Sequence, residues 1–333
     1  FAETLRTEYD ATTGENLGAL IEGSSTNTMP YSEEISAWYA YNGGGLQTLN
    51  ITDNYGLAPD NTMSASRLSG SLVDATSNSR IVIMQGPVTG SNITLSFWVK
   101  SLNGNYDAKF HFKGVELGTV SMTSEWKRVS ISGVAGGAPL GSFGIDLQGS
   151  FVSSLDFDFL MWGAQVEDKP FATSYIRTDS SAVSRSSDNL NIDGNSSIPE
   201  GGQDLTVSID VSMNDAYNHQ SYAKLFRLDG QALYMQSFAT GINNWQAMTN
   251  NIPLTFGPDI SSGVTHSFAT TYTSSKIAVY FNSVETETIT TFTPTFYNRN
   301  TTLSLGSSLT YQHIDGHISK FKTYAQALTA QEI

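Results

Sequence analysis

The chain has 333 residues, 39% of them hydrophobic and 14% charged, which excludes a disordered chain and allows two or three domains with real cores. Lys and Arg number 17 against 31 Asp and Glu, and the net charge of -14 repels phosphate backbones and anionic membranes, so nucleic acid is excluded as a partner. No Cys is present, which removes disulfides, thiolate metal sites and Cys nucleophiles, and no apolar run approaches the roughly 20 residues of a membrane helix, so a soluble protein without membrane insertion is expected.

The chain begins at Phe1 with neither Met nor a basic-then-apolar leader, so residues ahead of it are expected to be missing or removed. Residues 1–27 alternate little and carry a Thr12-Thr13-Gly14 turn, which predicts an extended arm that packs on something else, such as another subunit. Residues 28–168 read as a first antiparallel sandwich. Ser32 to Ser36 predicts a helical turn, and Asn42 to Gly45, Asn103 to Asn105 and Gly133 to Gly141 carry turn chemistry. Between the turns, Ile93, Leu95, Phe97 and Val99 share one face of a strand while Thr94, Ser96 and Lys100 share the other. Trp98, Trp126 and Trp162 read as core rings filling the space between two sheets roughly 10 Å apart.

Residues 169–190, rich in Ser and mixed in charge, predict a connector, and residues 191–333 a second sandwich. There, Leu205, Val207 and Ile209, and later Ile277, Val279 and Phe281, repeat the period-two pattern of half-buried strands. Thr329 with Glu332 forms the capping pattern of a short terminal helix. The fold class is therefore all-β: two antiparallel β-sandwich jelly rolls in tandem with an extended N-terminal arm.

Four stretches together resemble a modular architecture common in bacteriophage virion proteins, especially tail and head appendages. The opening has the form YD-x-x-TG-x-x-x-G-x-LIE and leads into TNTMPYSEE at Thr26 to Glu34. LAPDNTMSASRL, ITLSFWVKS and SEWKRVSISG follow in the order of carbohydrate-binding-like jelly rolls. MWGAQVEDKPFATSYIRTDSSAVSRSSDNL, at Met161 to Leu190, is the most specific match, with its F-x-TSYI exit. The closing SLGSSLTYQHIDGHISKFKTYAQALTAQEI resembles the last strands of a concanavalin- or laminin-G-like jelly roll. The resemblance implies a virion structural protein, a fibre, spike or decoration subunit at the particle surface. Its expected partners are other virion proteins, copies of itself and host-surface polysaccharide. It implies fold and setting, not chemistry.

Asp156 with Asp158, Glu285 with Glu287, and Glu33 with Glu34 are possible glycosidase pairs, but the first alternates with Leu155, Phe157 and Phe159 and reads as a solvated face. The YQHI at Tyr311 to Ile314 departs in order from the Q-I/V-H strand of jelly-roll lyases. His313 and His317 bracket Asp315 and Gly316, and they read as exposed on a tight turn. Asn189, Asn191, Asp193, Gly194 and Glu200 fall on calcium-loop spacing, but Asn at the first position and Pro199 favour a plain strand and turn. No catalytic residue, metal or cofactor is expected, and the protein reads as a non-enzyme. Glycan contact is expected from aromatics outside clear alternation: Tyr39 and Tyr41, Tyr217 and Tyr222, Tyr297, and above all Trp245 in the polar stretch GINNWQAMTNN. The alternatives are a decoration protein without glycan affinity and a secreted bacterial carbohydrate-binding protein.

Overall fold

The computed structural model describes residues 6–10, 13–42, 46–74, 81–85, 92–112, 115–134, 143–146, 155–192, 203–214, 223–228, 233–237, 245–249, 252–256, 260–290, 302–306 and 313–333. Its strands pair antiparallel throughout, and the chain divides into two compact units, residues 25–185 and residues 1–24 with 186–333. The expected all-β class of antiparallel sandwiches is what the strands form. Among the described residues no helix is long and apolar enough to cross a membrane.

In the unit of residues 25–185, one five-stranded sheet runs in the order Val115–Met122, Tyr106–Phe112, Phe143–Asp146, Ile81–Gln85, Tyr39–Asn42. The other runs Lys127–Val134, Asn92–Ser101, Asp156–Glu167, Ala65–Leu72, Leu46–Gly56. Ile93, Leu95, Phe97 and Val99 point into the core with Phe157, Phe159 and Met161, as their period-two spacing requires. Trp98 and Trp162 do not join that core. They stand on the opposite face with Ala58, Ala65 and Leu160, and Trp126 packs beside them. A ring one position from Phe97 must project from the other side of the pleat, so the expectation of three tryptophans between the sheets is corrected.

The other unit faces a seven-stranded sheet against a six-stranded one. The first runs Thr7–Tyr9, Asn16–Ile21, Gly316–Tyr324, Leu205–Met213, Thr265–Tyr272, Ile277–Phe281, Val284–Ile289. The second runs Leu190–Ile192, Leu303–Leu305, Lys224–Leu228, Leu233–Ser237, Trp245–Thr249, Ile252–Phe256. Ile21, Val207, Ile209, Phe268 and Val279 from one sheet meet Phe226, Met235, Trp245, Leu303 and Leu305 from the other.

The segment expected as an extended arm packing on something else supplies two of these strands within its own chain. Ala19, Leu20 and Ile21 pair with Ile318, His317 and Gly316, and Ile21 is fully buried. Arg6 binds Glu22 at 2.9 Å and also Asp188, while Gly23 donates to Asp315 at 2.6 Å. Backbone edges pair wherever register and burial reward it, so the ends of the chain build one sheet. The expected connector of residues 169–190 likewise packs down. Val183–Arg185 pairs with Ser25–Asn27 inside the unit of residues 25–185. At the C-terminus the Glu332 carboxylate reaches back to the Thr329 amide at 2.8 Å as expected, but the Thr329 hydroxyl donates to that carboxylate and does not cap, and the Glu332 amide donates to the Thr329 carbonyl at 3.0 Å within a turn rather than a helix. The helical turn near Ser32 is the 3-10 segment Ile35–Ala37.

Candidate functional site

Trp245 is fully buried in the strand Trp245–Thr249, its ring 5.2 Å from that of Phe268. It cannot stack on a sugar, and the expectation is corrected: in WQAMT the indole takes the inward position with Ala247, and burial of its large apolar area outweighs the polar character of its flanks. Tyr39 is 65% exposed in the edge strand Tyr39–Asn42, and Tyr41 lies in the same strand. Tyr217, Tyr222 and Tyr297 lie outside the described residues, as do Asp193, Gly194 and Glu200 of the calcium spacing. Among the described residues no group of three metal-ligating side chains gathers. His313 and His317 are buried rather than exposed; His317 Nε2 lies 2.7 Å from Glu8 Oε2, because the N-terminal strands cover that end of the sheet.

One member of each acidic pair is held by a neighbour. Asp158 accepts both Nε and Nη2 of Arg67, at 2.7 and 2.6 Å. Lys276 reaches Glu285 at 3.3 Å. Glu33 accepts the Tyr175 hydroxyl at 3.0 Å, and burial pushes its carboxyl above the usual range.

The stretches TNTMPYSEE and FATSYI form one hydrogen-bonded network with Gln165 and Glu167. Asn27 donates to the carbonyls of Ala164 and Ile176 at 3.0 and 2.8 Å and accepts from the amides of Met29 and Val166, both at 3.0 Å, which satisfies its amide fully. Glu167, fully buried, accepts from Ser25 and the Thr173 hydroxyl at 2.5 Å, from Gln165 at 2.7 Å and from the Thr173 amide at 2.9 Å. Tyr175 packs 4.7 Å from Trp162, and Arg128 lies 4.5 Å over the ring of Trp98. TN-x-x-x-YSE and F-x-TSYI are therefore two sides of a structural clasp over the outer face of a sheet.

The arrangement best suited to holding a ligand is on the six-stranded sheet. Its inward positions are Phe226, Leu228, Met235, Trp245, Ala247, Leu254 and Leu303. The register sets one outward row as Asn191, Ser304, Arg227 and Tyr234, and a second as Lys224, Gln236, Gln246 and Thr255. Most of this outward face is buried all the same: Lys224 is 8% exposed, Tyr234 5%, Gln236 4%, Gln246 8% and Ser304 4%. Asn191 and Thr255 are exposed and mark its rim. The face that turns away from the core thus buries amides, a phenol and an ammonium.

Within it, Lys224 donates to the Gln236 side-chain carbonyl and its Nζ lies 4.1 Å from the centroid of the Tyr234 ring. Burial, with the nearby charge of Arg227, lowers the Lys224 ammonium to about 8. Burial pushes the Tyr234 phenol up, so it stays neutral around physiological pH. Gln246 donates to Thr255 at 3.2 Å, and Ser304 donates to Asn191 at 2.8 Å. Sequence reading passed over these residues. Their signal was period-two alternation, Gln246 between Trp245 and Ala247, and Tyr234 and Gln236 about Met235, which was legible once the strand face was known.

Residues 184–333 match the family model described as the concanavalin A-like lectin/glucanases superfamily. No curated protein matches the chain by sequence. Among solved structures, domain 4 of AbnA, an extracellular arabinanase from Geobacillus stearothermophilus in complex with arabinotriose, is 17% identical with a TM-score of 0.35, over 43% of this chain and 69% of that one. A heptameric SAP-like pentraxin from Limulus polyphemus is 16% identical with a TM-score of 0.32, over 40% and 68%. A sialidase from Trypanosoma rangeli in complex with the inhibitor DANA is 11% identical with a TM-score of 0.32, over 39% of this chain and 22% of that one.

Proposed function

We propose that this chain is a non-enzymatic, glycan-binding protein of a bacteriophage particle, and that the outward face of its six-stranded sheet is the sugar contact. The observation that carries the glycan reading is the burial of Gln236, Gln246, Ser304 and Tyr234 on the side of the sheet away from the core, within the stretch that matches a lectin and glucanase superfamily. Side-chain amides both donate and accept, so two of them on adjacent strands suit the paired hydroxyls of a sugar ring. The virion setting is supported by the resemblance of the N-terminal and central stretches to phage appendage modules. There, repeated copies multiply a weak contact into avidity.

The test is binding of the full chain, multimerised on a surface, to a panel of bacterial surface polysaccharides and their oligosaccharides. Binding is expected, with a loss of about tenfold or more in the double variant Gln236→Ala with Gln246→Ala at unchanged circular dichroism. Failure to bind any sugar, or full affinity in the double variant, overturns the glycan reading. Release of reducing ends or unsaturated sugars from a bound polysaccharide overturns the non-enzymatic reading. Peptide mass spectrometry of purified particles tests the virion setting, which its absence from them refutes.

A further inference from the structure

We infer that the glycan taken by this face carries a negatively charged group, a carboxylate or a sulfate, which seats against Lys224 with Arg227 beside it. The inference rests on the glycan reading and narrows its ligand class.

Lys224 is more than nine-tenths buried, and the groups it touches are neutral, the Gln236 carbonyl and the Tyr234 ring. A buried ammonium is ordinarily paired with an anion, because an amide and a ring return only part of the hydration it gives up. The charge that acts on it comes from Arg227, on the same strand and the same face, and this second cation raises the cost. Among the described residues, Arg227 and Tyr234 are the titratable groups facing Lys224, while Gln236, Gln246 and Ser304 on that face carry no charge. Lys224 thus stands on a buried polar face with no anion among its partners. An acidic sugar supplies the missing counter-charge, while the amides take its hydroxyls.

The test compares three probes on the full chain by calorimetry: an oligogalacturonide, its fully methyl-esterified form, and a sulfated galactan oligosaccharide, which carries sulfate and no carboxylate. At least one acidic probe is expected to bind about tenfold or more tighter than the ester at pH 7, and which one does so separates carboxylate from sulfate. That margin is expected to shrink about tenfold by pH 9.5, where Lys224 has lost its proton. Lys224→Met is expected to lower acid affinity about tenfold without lowering the melting temperature, since it removes an unpaired buried charge, and Lys224→Arg to retain the preference. Equal binding of both acidic probes and the ester by the unaltered chain overturns this inference and leaves the glycan reading standing. Binding of none of the three, together with none of the surface polysaccharides, removes both.

Discussion

Ala19 stands opposite Ile318 in the seven-stranded sheet, so the ends of the chain share one ladder while residues 25–185 form a unit of their own between them. The C-terminal sandwich is complete only with residues 6–24, and the family match at residues 184–333 omits them.

Expressed alone, residues 184–333 are therefore expected to be unstable or insoluble, with the edge of Gly316–Tyr324 and the seat of Ile21 uncovered. In the whole chain, Ile21→Ala is expected to cost about 2–5 kcal/mol. Urea melts of the variant and the soluble yield of the fragment check both. A fragment as stable as the whole chain would contradict the shared sheet.

The two glycines of the opening motif answer to different constraints. Gly18 has φ +103, and a Cβ there would lie 2.3 Å from the Ile318 carbonyl oxygen, whereas Gly14, at φ +71, has open space around it. Gly18→Ala is expected to destabilise by several kcal/mol, on the scale of backbone displacement, and Gly14→Ala by about 1 kcal/mol from its left-handed conformation alone. Thermal melts of the two variants should rank them in that order.

Glu167 is a buried carboxylate whose two oxygens take four donated bonds. Glu167→Leu strands those donors and is expected to cost about 3–5 kcal/mol. Glu167→Gln should cost less, because the Ser25 and Thr173 hydroxyls can turn to accept from the new amide. Chemical denaturation of both variants distinguishes a clasp from a site that needs the acid.

Lys224 makes stability depend on alkaline pH. Its folded value, about 8, lies below the ordinary 10.5, so between these the unfolded chain binds the extra proton. The penalty is full below about pH 8 and is relieved as pH rises toward 10.5, so this group contributes a gain in stability across that window. Denaturant midpoints of the unaltered chain, with those of Lys224→Met subtracted, should show the gain.

Trp245→Ala should destabilise the chain by about 3–5 kcal/mol, as removal of a core ring does. Tyr39→Ala, at an exposed position, should change stability by less than about 0.5 kcal/mol. The reverse order in thermal melts would restore Trp245 as a surface residue.

The strands themselves were legible. Ile93 to Val99 and Leu205 to Ile209 point inward as their alternation required, because each successive side chain must leave the pleat on the opposite side. Trp98 and Trp245 were misread for related reasons. Trp98 lies on a strand whose two faces are both covered, so an apolar ring does not reveal which cover it meets. Trp245 is flanked by Asn residues, whose polarity does not reveal the inward side of the strand that begins with it.

The sequence by itself determined that the protein is built of antiparallel strands and turns, since side-chain alternation and turn chemistry act over a few residues. Only the tertiary structure decided that Asn16–Ile21 joins Gly316–Tyr324, and that Lys224, Tyr234, Gln236 and Gln246 meet on one buried face. Backbone amides and carbonyls are the same along every strand. Partner and register therefore follow from which distant surfaces bury most when they close, a property of the whole assembly rather than of any short stretch.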